Sequence, residues 1–262
     1  MIPAGSSALI TGASGGIGGQ FARQLASRGV NLVLVARSEE RLKALADELE
    51  RSHTGLPATV IVADLSSSAA PAALMEGLER AGIAVDLLIN NAGVGSLRRF
   101  VEEDSEAVLR QIQLNCVSLV ALTSFLLPGM LTRDRGGVIN VASTAAFQPI
   151  PTMAVYAASK AFVLSFTEAL WAETEDSAVR ILAVCPGPTE TQFFQTASAE
   201  KQFLTRGRQT PDRVVATALR AYESGRDPSF IPGIANRMLA SGYRFLPRRA
   251  MVRFAGRSVR PT

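Results

Sequence analysis

A chain of 262 residues with 47% hydrophobic and 19% charged side chains carries enough apolar material for one large α/β domain. A single histidine, His53, and two cysteines without metal-ligand spacing, Cys116 and Cys185, exclude a catalytic zinc site and a Ser-His-Asp triad. The formal charge of +4 belongs to the tail, where Arg244, Arg248, Arg249, Arg253, Arg257 and Arg260 meet no acid; the body is nearly neutral, which excludes nucleic-acid binding by it.

In chain order, 7–11 reads as a strand, 17–28 as a helix, 31–36 as a strand and 39–51 as a helix. A strand at 58–63, a helix at 69–81 and a strand at 86–90 follow, then a long helical stretch over 105–131. Next come a strand at 137–142, a helix at 155–174 and a strand at 179–185. Beyond Thr189 the pattern weakens: 198–206 and 211–223 are helical, 229–231 is a last short strand, and 234–260 holds two more helices. The short runs are nearly continuous in Val, Ile, Leu and Ala, the mark of strands buried on both faces. Repeated β-α units then predict a doubly wound parallel sheet with helices on both faces, in one domain spanning 1–262. Both cysteines fall in apolar stretches and are expected as buried free thiols. No apolar run reaches the roughly 18 residues that span a bilayer, and residues 1–5 lack the basic start of a signal peptide, so a cytoplasmic location is expected.

The first strand runs into Thr11-Gly12-Ala13-Ser14-Gly15-Gly16-Ile17-Gly18. A glycine-rich turn between a buried strand and a helix lets backbone amides and the positive helix end approach a pyrophosphate. Arg37 follows the second strand, where NAD-binding proteins place an acid for the ribose 2′-hydroxyl; an arginine pairs instead with a 2′-phosphate, and Ser14 adds a hydroxyl. NADP(H) is therefore expected rather than NAD(H). Asp64-Leu65 ends the third strand at the same edge, where the carboxylate either accepts from an adenine amino group or caps the next helix.

Tyr156 and Lys160 stand at i and i+4 on one helical face, so the ammonium can lie near the phenol and lower its pKa from about 10, as acid-base work at neutral pH requires. Ser143 ends the preceding strand, where a hydroxyl could hold a substrate carbonyl. With Thr11-Gly12-x-x-x-Gly16-x-Gly18, Asp64, Asn90-Asn91-Ala92-Gly93, Asn115 and Pro186-Gly187, in this order over residues 6–191, the chain resembles the short-chain dehydrogenase/reductase family. The resemblance implies a Rossmann-type sheet, with Tyr156 as acid in reduction and base in oxidation, and Ser143 orienting the substrate oxygen. Lys160 would bind the nicotinamide ribose and tune Tyr156, and Asn115 would hold a water that links Lys160 to solvent. Asn91, Ala92 and Gly93 would line the adenosine side, and Thr189 and Thr191, after Pro186-Gly187, would meet the nicotinamide carboxamide or pyrophosphate. Gly15 departs from the family, since many NADP-preferring members carry a basic residue there; the NADP reading rests on Arg37.

Substrate-facing loops are expected at 94–100, 144–153 and 190–210, which hold Phe147, Ile150, Met153, Phe193, Phe194 and Phe203 and suit an apolar carbonyl or alcohol. The stretch 190–210 could close over substrate. The basic extension 234–262 contains a helix with Arg249, Arg253, Arg257 and Arg260 on one face and Met251, Ala255 and Val259 opposite. It packs on the body or a sister subunit, or rests peripherally on an anionic membrane. Three activities stay open: a carbonyl reductase or alcohol dehydrogenase, a reductase of 3-oxoacyl groups on an acyl carrier, and a non-catalytic NADP-binding sensor or scaffold. Family members are commonly homodimers or homotetramers.

Overall fold

Alternation within each apolar run decides which layer a side chain enters. Ala8, Ile10, Leu87 and Ile89 pack into a cluster with Phe21, Leu25, Leu45 and Leu219, whereas Leu9 and Leu88 point oppositely, toward Leu74, Leu122 and Met130. Two apolar faces on one strand require a cover on each side. The computed structural model describes residues 2–52, 58–191, 208–242 and 247–258 and shows that cover.

The strands are β1 (Ser7–Thr11), β2 (Asn31–Ala36), β3 (Ala58–Val62), β4 (Leu87–Asn90), β5 (Gly137–Val141), β6 (Arg180–Val184) and β7 (Ser229–Phe230). They form one parallel sheet in the order β3-β2-β1-β4-β5-β6-β7. Helices α1 (Gly16–Ala26), α2 (Glu39–Ser52) and α7 (Pro211–Ser224) cover one face. Helices α3 (Ala70–Arg80), α5 (Ser118–Thr132) and α6 (Ala154–Glu173) cover the other. Helix α4 (Ser105–Ile112) precedes α5, and α8 (Ile234–Gly242) and α9 (Arg248–Ser258) follow β7.

Every expected strand lies within one residue of its expected ends. Helix α1 stops two residues short, because Gly29 at φ 76° turns the chain while its amide and that of Val30 bond back to Ala26 and Leu25. Burial on both faces fails at β3: among the described residues it is an edge strand, and Val62 is half exposed. Both cysteines are buried and free. The expected helix at 198–206, together with His53, Phe193, Phe194, Phe203, Arg244, Val259 and Arg260, lies outside the described residues.

The stretch read as one long helix is continuous but changes register, with α4 passing through a π-helical segment, Gln113–Val117, into α5. Over its 28 residues this helix is long and apolar enough to cross a membrane, with a best-window mean hydropathy of 1.8, contrary to the expectation above. Here it forms a layer of the domain. Ser118 donates to the Leu65 carbonyl at 2.6 Å and Thr123 accepts from Asn90 at 3.1 Å, so its polar side chains are bonded into the body.

Candidate active site

Strand order reverses between β1 and β4, and the carboxyl ends of these strands open into a cavity of 1030 Å³. Ligand pockets usually measure about 300–1,000 Å³, so this cavity is at the large end of that range. Gly12, Ser14, Gly16 and Ile17 line one wall. Gly12 adopts φ 65°, and a Cβ on it would lie 2.8 Å from Asn91 Nδ2 and 3.0 Å from Ala92 Cα. Asn91 holds the turn in place: Nδ2 donates to the carbonyls of Thr11 at 2.9 Å and Gly12 at 3.2 Å. Thr11 Oγ1 accepts from the amides of Asn91 and Ala92. Gly18 lies behind the turn, where a Cβ would collide with the Gly12 carbonyl and approach Asn91 Nδ2 to 2.5 Å. Gly18→Ala is thus expected to cost about 1–3 kcal/mol of stability through overpacking. Dinucleotide binding should weaken with it, as calorimetry and NADPH titration would show.

At the adenosine end Arg37, Ser38 and Arg41 come from the β2–α2 junction, and Asp64 and Leu65 from the end of β3. Arg41, four residues after Arg37, joins it here without a motif of its own. Asp64 does not cap α3. Its Oδ1 closes a local turn by accepting from the Ser66 hydroxyl at 2.7 Å and the Ser66 amide at 3.0 Å, and α3 has no side-chain cap. The Ser66 hydroxyl, then its amide and the Arg37 charge, hold the Asp64 carboxyl below the ordinary carboxylate range.

On the opposite wall Ser143 leaves β5 and Tyr156 and Lys160 project from the start of α6. Their relative placement is fixed by a buried amide ladder. Asn90 Nδ2 donates to Asn140 Oδ1 at 2.9 Å, and Asn140 Nδ2 donates to Thr167 of α6 at 2.9 Å. The Ser143 hydroxyl accepts from the Ala145 amide at 3.1 Å and is hydrogen-bonded to the Tyr156 phenol. Lys160 Nζ donates to the Val141 carbonyl at 2.7 Å and lies 5.9 Å from the centre of the Tyr156 ring.

The electrostatics differ from the expectation. Burial pushes the Tyr156 phenol up to about 12, with the Ser143 hydrogen bond opposing it, and burial pushes the Lys160 amine down to about 8. The protein interior disfavours both charged forms, and Nζ is aimed at the Val141 carbonyl rather than at the phenol oxygen. Tyr156 is only half-buried on the cavity wall, so water entering the cavity tempers its shift.

Asn115 sits in the π-helical segment and is buried. Its Nδ2 donates to the Val94 carbonyl at 2.9 Å and to Ser159 Oγ at 3.0 Å, and its Oδ1 accepts from the Val94 amide at 3.0 Å. The side chain is therefore a clamp between the segment that follows β4 and α6. Gly93 packs against this clamp, since a Cβ there would lie 3.3 Å from Asn115 Oδ1 and 3.4 Å from Lys160 Nζ.

The Pro186-Gly187 loop is backed by Asn236 of α8, which a Cβ on Gly187 would strike. Thr189 Oγ1 donates to the Gly187 carbonyl at 2.9 Å, and the Thr191 methyl would sit 3.1 Å from a Cβ on Gly16, so this loop returns over the glycine turn. Ile150 and Met153 line the substrate end as expected, but Phe147 turns away to pack with Val163 and Leu164. Gln148 takes a place on the wall, its Oε1 buried without a partner. Leu239, Phe254 and Ala255 complete this end. Gln148 falls within the expected loop 144–153, but the α8 and α9 residues carried no sequence signal for it, because their role depends on how the C-terminal helices fold back. Helix α9 buries Met251 and Ala255 against the body and leaves Arg249, Arg253 and Phe254 outside.

Residues 6–202 match the family profile described as short chain dehydrogenase. The chain belongs to the short-chain dehydrogenase family. It is 35% identical over 187 residues to a very-long-chain 3-oxoacyl-CoA reductase of Anas platyrhynchos, a match covering 70% of this chain and 59% of that protein. The chain thus spans less than two thirds of the length of that relative. A short-chain dehydrogenase from Sphingobium yanoikuyae, solved with NADPH, superposes with a TM-score of 0.83 at 35% identity, over 91% of this chain and 93% of that one. A short-chain dehydrogenase/reductase from Burkholderia phymatum, solved with NAD, gives 0.81 at 26% identity over 99% and 98% of the two chains. Solved relatives of the chain thus hold either dinucleotide.

Proposed function

We propose that this chain is an NADP(H)-dependent oxidoreductase that moves a hydride between nicotinamide and a carbonyl or alcohol carbon of an apolar substrate. One observation carries the reading: Ser143, Tyr156 and Lys160 share one cavity with the glycine turn and Arg37. When bound, the dinucleotide supplies or takes up the hydride. Tyr156 gives its phenolic proton to the substrate oxygen in reduction and removes it in oxidation. Ser143, within hydrogen-bond reach of that phenol, donates to the same oxygen as charge develops there. Lys160 keeps a cation beneath the phenol and would also hold the nicotinamide ribose. Mixing the protein with NADPH and a panel of ketones, aldehydes and acyl thioesters, while following nicotinamide absorbance, tests the reading. Tight NADPH binding without turnover of any of them would instead make the chain a sensor or scaffold.

The 2′-phosphate preference is supported by Arg37 and Arg41 at the adenosine end. Arg37→Asp is expected to raise the Kd for NADPH by about 10- to 100-fold, the worth of one charge-assisted hydrogen bond, and to leave NADH binding unchanged. Equal losses for both nucleotides in fluorescence titration would remove the preference.

A second reading, reduction of 3-oxoacyl thioesters, is favoured by the relative named a very-long-chain 3-oxoacyl-CoA reductase and by the apolar Ile150, Met153, Leu239 and Phe254 at the substrate end. The thioester members of the panel separate it from simple ketone reduction. Self-association draws support from Leu109 and Phe162, large apolar side chains exposed on α4 and α6, which contact each other as helices.

A further inference from the structure

We propose that the mouth of the substrate cavity docks on an anionic lipid surface, with α8 entering the lipid and α9 holding its phosphates. Helix α8 turns Ile234 (80% exposed) and Met238 (70%) outward on one stripe, four residues apart, with Leu239 (50%) on its flank toward the cavity. Phe254 of α9 is 51% exposed, and both Leu239 and Phe254 also line the cavity. The stripe therefore runs into the cavity mouth. Exposed apolar groups of this size, gathered in one place, mark an interaction surface.

Charge identifies the occupant. From residue 231 to residue 262 there are seven arginines and no acid, and Arg237, Arg248, Arg249 and Arg253 are exposed. Guanidinium groups match phosphate geometry, and basic side chains near an anionic leaflet draw a protein to it. A second copy of this chain docking here across a two-fold axis would set arginines against arginines. Apolar tips inside a cationic collar are what an anionic interface accepts: the tips enter the acyl boundary and the collar meets the headgroups. The arrangement differs from an inserted amphipathic tail, since Met251 and Ala255 of α9 face the body and α8 provides the apolar contact. With the apolar substrate of the proposed function, on which this last step rests, a lipid-dissolved carbonyl compound reaches Tyr156 without crossing bulk water.

Sedimentation of the full chain with vesicles tests the surface without needing turnover. Binding is expected to phosphatidylcholine vesicles containing phosphatidylglycerol at low ionic strength, to be absent with phosphatidylcholine alone, and to fall as salt rises. Arg249→Glu with Arg253→Glu should weaken binding by about tenfold or more. Ile234→Asp with Met238→Asp should abolish it with every arginine in place, and both variants should keep wild-type NADPH affinity, which reports an intact fold. A wild-type chain that stays in the supernatant overturns the proposal. So does binding that survives the aspartates but not the charge reversal, which would assign the arginines to a soluble acidic partner. Loss of NADPH binding by the wild type would sink the cofactor assignment and leave the vesicle result standing.

Discussion

Tyr156→Phe is expected to lower turnover by about 10²- to 10⁴-fold with NADPH affinity unchanged. The ring still fills its place beside Lys160, so the wall keeps its shape, and only the proton is lost. Steady-state kinetics on whichever carbonyl compound the panel identifies, paired with NADPH titration, separate the two quantities. Retained turnover would mean that another group delivers the proton, and the assignment of the site would fall. The pH profile carries the same information. A phenol pushed up to about 12 stays protonated through neutral pH, which suits reduction, so oxidation should speed up as pH rises and more phenolate forms.

Lys160→Met is expected to abolish turnover and yet stabilise the protein at neutral pH. An amine pushed down to about 8 by burial is a cation held where it is disfavoured. The sign follows from proton uptake. Below about 8 both folded and unfolded chains carry the charge, and the folded state bears the full burial penalty. Between about 8 and the unfolded value of 10.5 only the unfolded chain stays protonated, so stability rises with pH across this window. Removing the amine should therefore raise stability at pH 7 by roughly 1–3 kcal/mol, once the lost hydrogen bond to the Val141 carbonyl is subtracted. Thermal melting checks it: the gap between variant and wild type should close as pH climbs from 8 toward 10.5. Cys185, whose thiol burial pushes up to about 12 against the opposing Lys160 charge, acts oppositely and removes stability as pH passes 9. A variant less stable than wild type at pH 7 would show that Lys160 acts mainly as a structural strut.

The pairing of Tyr156 with Lys160 is legible from spacing, because one helical turn has a fixed geometry. The direction of their electrostatic coupling is not, because it depends on how deeply α6 lies in the wall and on the Val141 carbonyl that captures Nζ. Asn115 shows the same division. Its position beside Lys160 follows from the ordered motifs, but a π-helical turn and two bonds to Val94 decide that its amide braces the chain. Asp64 reached the expected sheet edge, and a neighbour only two residues away, Ser66, settled what its carboxylate does.

By itself the sequence determined the parallel sheet, its strand limits and the family, since buried strands and glycine turns impose local patterns that survive in one dimension. Only the tertiary structure decided that α8 and α9 fold back to line the substrate end, that Phe147 turns away and Gln148 takes its place, and that an apolar stripe meets a cationic collar there. These features join residues that lie far apart along the chain, and no periodicity encodes which helix a distant loop will touch.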